Sequence, residues 1–143
     1  MPPIDVVCDA SVVLKWFHAE GEEDVEASRA LLRLHRDRKV ALFVLDLTAY
    51  EVGNALLRGR VHVAPDDAAV VLDALAGICP AIALSQADFD HAVRLAAQHN
   101  LTLYDAAYAA AASARQARLA TLYRALLGAG LGLRPSDIVR GVT

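Results

Sequence analysis

The sequence has few aromatic residues and no strong charge of either sign. Phe, Trp and Tyr make up only 6% of the 143 residues, whereas hydrophobic residues make up 56%. The core is therefore expected to be aliphatic and rich in alanine, which favours close helix packing over a large aromatic pocket. The formal net charge is −3, so bulk charge does not indicate a nucleic-acid partner. Any RNA contact needs a local basic patch or a bound cation to offset phosphate repulsion.

Several common kinds of site and segment are also missing. The two cysteines, Cys8 and Cys79, have no metal-ligand spacing, and we expect reduced core thiols rather than a disulfide. No secretory leader and no apolar run of membrane-spanning length is present, so a cytoplasmic protein without a membrane segment is predicted. The five histidines lack zinc-type spacing, and the glycines in residues 128–132 follow a helix rather than opening a phosphate-binding loop.

Short apolar runs alternate with amphipathic segments along the chain. This alternation predicts the α/β class, as a three-layer α/β/α sandwich on a mostly parallel central sheet, in a single domain over residues 1–143. Buried strands are predicted at residues 4–9, 41–45, 81–84 and 119–122, with a last edge strand at residues 138–139.

Helices are predicted between these strands from their capping and stop signals. Asp46 and Ser85 are predicted N-caps, while Gly59 and Pro80 are predicted to end helices. The acidic stretch at residues 20–24 is predicted to precede a helix, where its charge suits the positive helix end.

Three acidic residues lie among apolar neighbours, where an isolated charge is poorly solvated. Asp9 closes the first predicted strand, Glu51 lies inside a predicted helix, and Asp105 begins another. Taken singly, Asp9 and Asp105 also suit helix capping, and Glu51 shares a helix face with Asn54 and Arg58 that is equally typical of a solvated stripe. Ligands in open α/β folds gather beyond the carboxyl ends of the strands. The triple therefore predicts a Mg²⁺ site, since such a metal activates water and neutralises a cleaving phosphate.

At these residues the chain resembles the PIN-domain ribonucleases, and specifically the VapC toxins of bacterial toxin–antitoxin pairs. The likeness spans nearly the whole chain. It is carried, in the family's order, by residues 7–17, 51–57, 103–108, 119–122 and 135–139.

The resemblance implies a metal-dependent endoribonuclease that cuts RNA and inhibits translation, with Mg²⁺ as its cofactor and Mn²⁺ as a substitute. It also implies a homodimer and a cognate VapB-type antitoxin whose tail occupies the active site. By position, it assigns Asp9, Glu51 and Asp105 as metal ligands. It assigns supporting roles to Ser11, Asn54 and Thr121.

The chain departs from the family's pattern at one position. After residues 119–122 the family usually has an aspartate and then a basic residue, and here Tyr123 and Arg124 take these places. A tyrosine phenol has an unperturbed pKa of about 10, so it is neutral near pH 7 and does not replace an anionic ligand. Three interpretations stay open: a weaker site with three carboxylates, a natural inactive member of the family, or an inactivating substitution.

Other contacts are assigned by charge and hydrophobicity. The apolar helices within residues 27–34 and 66–78 are candidates for the dimer face or the antitoxin groove, and Tyr104 and Tyr108 are interpreted as core residues.

The alternative to a ribonuclease is a non-catalytic PIN-fold module that binds antitoxin or RNA, which Tyr123 favours. Four basic residues are candidate phosphate contacts, although ordinary surface charge explains each one singly: Lys15, Arg58, Arg118 and Arg124.

Overall fold

Each strand is followed by two helices in the computed structural model, which describes residues 1–18, 24–59 and 62–143. The strands are β1 (Ile4–Cys8), β2 (Val40–Leu45), β3 (Ala81–Ile82) and β4 (Arg118–Ala120). The helices are α1 (Ala10–Phe17), α2 (Val25–Arg36), α3 (Asp46–Arg58), α4 (Pro65–Ile78), α5 (Gln86–His99), α6 (Leu103–Ala114), α7 (Arg124–Gly128) and α8 (Pro135–Val142).

The four strands form one parallel sheet in the order β3-β2-β1-β4. Successive strand residues face opposite sides, so Val6 and Cys8 enter one hydrophobic core while Val7 enters the other. Helices α1, α2, α3, α4 and α8 contribute to the first core, and α5, α6 and α7 to the second. The predicted three-layer arrangement is therefore confirmed, and the carboxyl ends of all four strands point to the same edge.

Helix α6 packs into the second core almost entirely through small side chains. Seven consecutive residues, 106–112, are buried, and all of them are alanine except Tyr108. Small side chains let the helix axis approach the sheet and α5 closely. This packing fixes where the first turn of α6 meets the carboxyl edge of the sheet.

The predicted edge strand at residues 138–139 is wrong, because this segment lies inside α8. Pro135 occupies the first turn, where its missing N–H costs nothing, and Ile138 is buried in the first core. The edge of β4 is extended instead at Leu133, whose N–H donates to the Leu119 carbonyl at 2.8 Å. The Leu133 carbonyl in turn accepts the N–H of Thr121 at 3.0 Å.

The predicted helix caps are partly confirmed. Ser85 caps α5, and its hydroxyl accepts the N–H of Asp88 at 3.1 Å. Asp46 is not the cap of α3, since the helix begins at Asp46 itself and the capping position is Leu45. There the hydroxyl of Thr48 accepts the Leu45 N–H at 3.0 Å. The acidic stretch at residues 20–23 lies outside the described residues.

No helix in the described ranges has the length and apolar character needed to cross a membrane.

Gly132 is required by a close approach to Thr121. A Cβ at residue 132 would lie 2.5 Å from Thr121 Cγ2 and 3.3 Å from the Leu119 carbonyl oxygen. Because Thr121 is fully buried, we expect Gly132→Ala to lower the free energy of unfolding by about 1–3 kcal/mol. Gly77→Ala is the matched control, since a Cβ on this exposed residue of α4 meets nothing within 4 Å.

The control variant is expected to gain about 0.5–1 kcal/mol from its higher helix propensity. Urea unfolding of the parent and both variants checks the pair. Equal unfolding midpoints for Gly132→Ala and the parent would contradict the close approach.

Candidate active site

Asp9 is a fully buried carboxylate at the carboxyl end of β1, where it caps α1. Its Oδ1 accepts hydrogen bonds from the Ser11 backbone N–H at 3.0 Å and from the Ser11 hydroxyl at 2.5 Å. Burial raises the pKa of Asp9 to about 7, although hydrogen bonds from Ser11, Thr121 and Val12 act in the opposite direction. A carboxylate with so little solvation is a group that a cation stabilises.

Two hydroxyl groups tie Asp9 to the segment that follows β4. Thr121 donates its hydroxyl to Asp9 Oδ2, and its Oγ1 accepts the N–H of Tyr123 at 3.0 Å. The Ser11 hydroxyl accepts the N–H of Leu122 at 2.9 Å. Because each hydroxyl bonds both Asp9 and this backbone, residue 123 is fixed beside the buried carboxylate.

Glu51 lies in the middle of α3 and is half-buried. Its Oε1 accepts the hydroxyl of Tyr108 at 2.6 Å, and that hydroxyl lies 2.7 Å from Thr48 Oγ1. Burial raises the pKa of Glu51, the hydrogen bond from Tyr108 opposes that change, and the charge of Asp105 raises the pKa further. Glu51 is therefore held by a hydrogen bond from a buried tyrosine and lies within range of the charge of Asp105.

Asp105 occupies the first turn of α6 but does not cap it. Thr102 is the cap, and its hydroxyl accepts the Asp105 N–H at 3.1 Å. Burial raises the pKa of Asp105, while a hydrogen bond with the Thr102 side chain opposes the change. The carboxylate is therefore available for another role, and its negative charge suits the helix N-terminus.

Tyr123 stands where the fields of these three carboxylates overlap. It is half-buried and immediately precedes α7. Burial and the charges of Asp9, Glu51 and Asp105 raise the pKa of Tyr123 above its usual range. The phenol is therefore neutral, and all three acids lie within range for their charges to act on it.

The charges of the three carboxylates all act on this phenol, but the carboxylates do not converge into a metal-binding group. Within residues 1–18, 24–59 and 62–143, no three His, Cys, Asp or Glu side chains form a group that could hold a metal ion. The donor type nevertheless suits Mg²⁺, which takes carboxylate oxygens and keeps several waters. Burial also raises the pKa of all three carboxyl groups, which marks negative charge that lacks a counter-ion. The fit is one of donor type and location, not of closed coordination.

The family model of the PIN domain matches residues 6–123, a span that includes all three carboxylates. The chain belongs to the PIN domain family. No curated protein sequence matches it.

Two solved structures share the PIN fold of this chain. PAE2754 from Pyrobaculum aerophilum superposes with a TM-score of 0.72 and 24% identity, covering 97% of this chain and 89% of that one. VapC20 of Mycobacterium tuberculosis, described as a Sarcin-Ricin loop cleaving toxin, superposes with a TM-score of 0.66 and 16% identity. That alignment covers 87% of this chain and 95% of VapC20. At these identities the likeness is one of fold.

The predicted supporting and phosphate-binding residues do not all lie at the carboxyl edge of the sheet, where Asp9 is found. Arg118 begins β4, at the amino end of that strand, and its guanidinium group lies beside Gly141 of α8. Asn54 and Arg58 are exposed on α3 beyond Glu51. The two other predicted phosphate contacts lie in the last turn of α1 and at the start of α7: Lys15 and Arg124.

Sequence reasoning missed two features of this PIN domain. Tyr108 was predicted as core and is 0% exposed, but its hydroxyl bond to Glu51 was not foreseen. Tyr104 is not a core residue, because it is 61% exposed and lines an open apolar groove of about 430 Å³. Tyr50, which precedes Glu51, lines the same groove and is 79% exposed. Tyr50 and Tyr104, each next to a site acid, were the signal in the sequence for the groove, whereas the bond between Tyr108 and Glu51 had no local signal.

Proposed function

We propose that this PIN domain is a VapC-like toxin, a metal-dependent endoribonuclease that cleaves RNA phosphodiester bonds and so inhibits translation. The observation that carries the proposal is the set of three carboxylates, Asp9, Glu51 and Asp105, whose charges all act on one point beside the sheet edge. Negative charge concentrated in this way is unfavourable unless a cation is bound.

Asp9, Glu51 and Asp105 would hold Mg²⁺, or Mn²⁺ in its place. When bound, the metal supplies a water activated for attack and neutralises charge on the scissile phosphate. The chain's own contribution is to orient the oxygens that meet it. Ser11 and Thr121 fix both oxygens of Asp9. These contacts leave Asp9 little freedom to rotate away.

The partners are proposed only from the likeness to VapC toxins. VapC20 is called a toxin, and by extension we propose a VapB-type antitoxin, a homodimer and a cytoplasmic location for this chain. The target is proposed to be a structured RNA.

We expect RNA cleavage by the purified protein to require Mg²⁺ or Mn²⁺ and to stop when EDTA is added. Total RNA and a sarcin–ricin loop oligonucleotide are suitable substrates, with products read on a denaturing gel. Glu51→Gln keeps the size of the side chain and is expected to slow cleavage at least about 100-fold, the scale on which one charge-stabilising group acts. Asp73→Asn is the matched control, because this acid is exposed on α4. Cleavage that continues in EDTA contradicts the proposal. Equal cleavage rates for Glu51→Gln and Asp73→Asn contradict it as well.

A non-catalytic module that binds antitoxin or RNA is the second candidate. Tyr123 favours it, because this uncharged phenol takes the position of the family's aspartate, where the charges of all three carboxylates act. The two candidates differ in a single observation. A binding module retains RNA on a filter with or without metal and yields no cleavage products.

A further inference from the structure

We infer that Tyr108 is a positioning residue, which holds the Glu51 carboxylate in place through a directed chain of hydrogen bonds that begins at the backbone of Leu45. The inference rests on the proposed function, in which Glu51 is a metal ligand. It adds Tyr108 of α6 and Thr48 of α3 to the site, and neither side chain would contact the metal.

The direction of the chain follows from the number of protons that each group carries. An ionised carboxylate only accepts, so Tyr108 donates its single proton to Glu51 Oε1 at 2.6 Å. The phenol oxygen is then the acceptor in its 2.7 Å contact with Thr48, which donates its own hydroxyl proton. Thr48 Oγ1 in turn accepts the Leu45 N–H at 3.0 Å. All three donors therefore point toward Glu51.

The surroundings make this chain stronger than one on the surface. Thr48 and Tyr108 are both 0% exposed, so water does not compete for their hydroxyl groups. Hydrogen bonds in series polarise one another, by about 10–30% per bond in condensed-phase estimates. The charge at the end of the chain makes its last bond a charge-assisted one.

The chain also joins the two helices that carry site acids. Thr48 and Glu51 lie one helical turn apart on α3, and Tyr108 lies one turn after Asp105 on α6. A shift of α6 relative to α3 therefore moves the Glu51 carboxylate together with Asp105. A tyrosine that only filled the core would leave Glu51 free to choose its own rotamer.

The test compares Mn²⁺ affinity, measured by isothermal titration calorimetry, among variants that remove single hydroxyl groups. Tyr108→Phe is expected to weaken Mn²⁺ binding by about 10-fold, within the 10–100-fold range of groups that orient metal ligands. Thr48→Val is also expected to weaken Mn²⁺ binding. Thr48→Ser keeps the hydroxyl group, so it is expected to bind Mn²⁺ as the parent protein does. Tyr104→Phe is the matched control, since this tyrosine is exposed and lies beside Asp105.

A second measurement needs no metal. The urea unfolding midpoints of Tyr108→Phe, Glu51→Gln and the double variant in EDTA are expected to be non-additive. Tyr108→Phe removes the donor of the bond to Glu51, and Glu51→Gln weakens the same bond because a neutral amide oxygen replaces the charged acceptor. Unchanged Mn²⁺ affinity in Tyr108→Phe, or additive midpoints, overturns the inference. Absence of Mn²⁺ binding by the parent protein overturns the proposed function, and this role of Tyr108 with it.

Discussion

Tyr123→Asp is expected to tighten Mn²⁺ binding at least about 10-fold and to raise metal-dependent RNA cleavage in the same direction, because a direct ligand contributes no less than the groups that orient ligands. The phenol it replaces stays neutral, since burial and three nearby carboxylates raise its pKa above the usual range. Aspartate supplies an anionic oxygen at a position where the charges of Asp9, Glu51 and Asp105 already act, and it removes the bulk of the ring. Isothermal titration calorimetry with Mn²⁺ and a cleavage assay on the same preparations measure both effects.

Tyr123→Asn separates the gain in charge from the gain in space. It has the size of the aspartate variant without its charge, so we expect it to bind Mn²⁺ more weakly than Tyr123→Asp. Equal binding by the two variants would mean that the ring only blocks the site. No change in either variant would mean that three carboxylates make up the whole site, or that no metal binds there.

In the absence of metal, the protein is expected to lose stability as the pH rises from about 4 to about 7. The pKa of Asp9 is raised from 3.8 to about 7, so within this window the folded chain keeps a proton that the unfolded chain has released. The stability is full below the unfolded value and falls until the folded value is passed. A pKa difference of this size corresponds to a loss on the order of 4 kcal/mol. The raised pKa values of Glu51 and Asp105 act with the same sign.

Urea unfolding in EDTA at pH 5 and pH 8 measures most of this loss. Asp9→Asn removes the largest titration while keeping a good helix cap, so it is expected to lose much less stability between the two pH values than the parent and to be more stable than the parent at pH 8. Mn²⁺ at pH 8 is expected to restore the parent but not Asp9→Asn. Asp73→Asn, the exposed control, should behave as the parent does. A parent that is equally stable at both pH values, with EDTA present, would refute the assignment of a buried, uncompensated charge to Asp9.

The architecture was predictable from the sequence because its signals are local. Short apolar strands separated by capped helices specify a parallel α/β sheet, and the strand-end position of Asp9 places it at the site edge. Residues 138–139 were misassigned because two apolar residues fit a strand and a helix equally well, and only packing of Ile138 into the core decides between them. Asp46 was misplaced by one residue, which is within the ordinary uncertainty of helix ends.

The contacts of the candidate site were less predictable because they join residues far apart in the chain. Tyr108 and Glu51 are 57 positions apart, and Thr121 and Asp9 are 112 apart. A tyrosine inside an alanine run reads as core, and its burial bears this out, yet its hydroxyl partner depends on how α6 packs against α3. The exposed position of Tyr104 depends on the same packing.

The alanine run of α6 makes the position of the Asp105 side chain depend on side-chain volume up to two turns further along the helix. Residues 106–112 are buried with almost no side-chain bulk, so the sheet and α5 leave room for methyl groups and little more. Ala110→Val adds two methyl groups at a fully buried position, and we expect the helix to shift and Asp105 to move with it. Substitutions that enlarge a buried side chain of this helix are therefore expected to disturb the site although they change no carboxylate. A lineage that needed to silence this protein would find many routes through α6 that leave every acidic residue in its sequence intact.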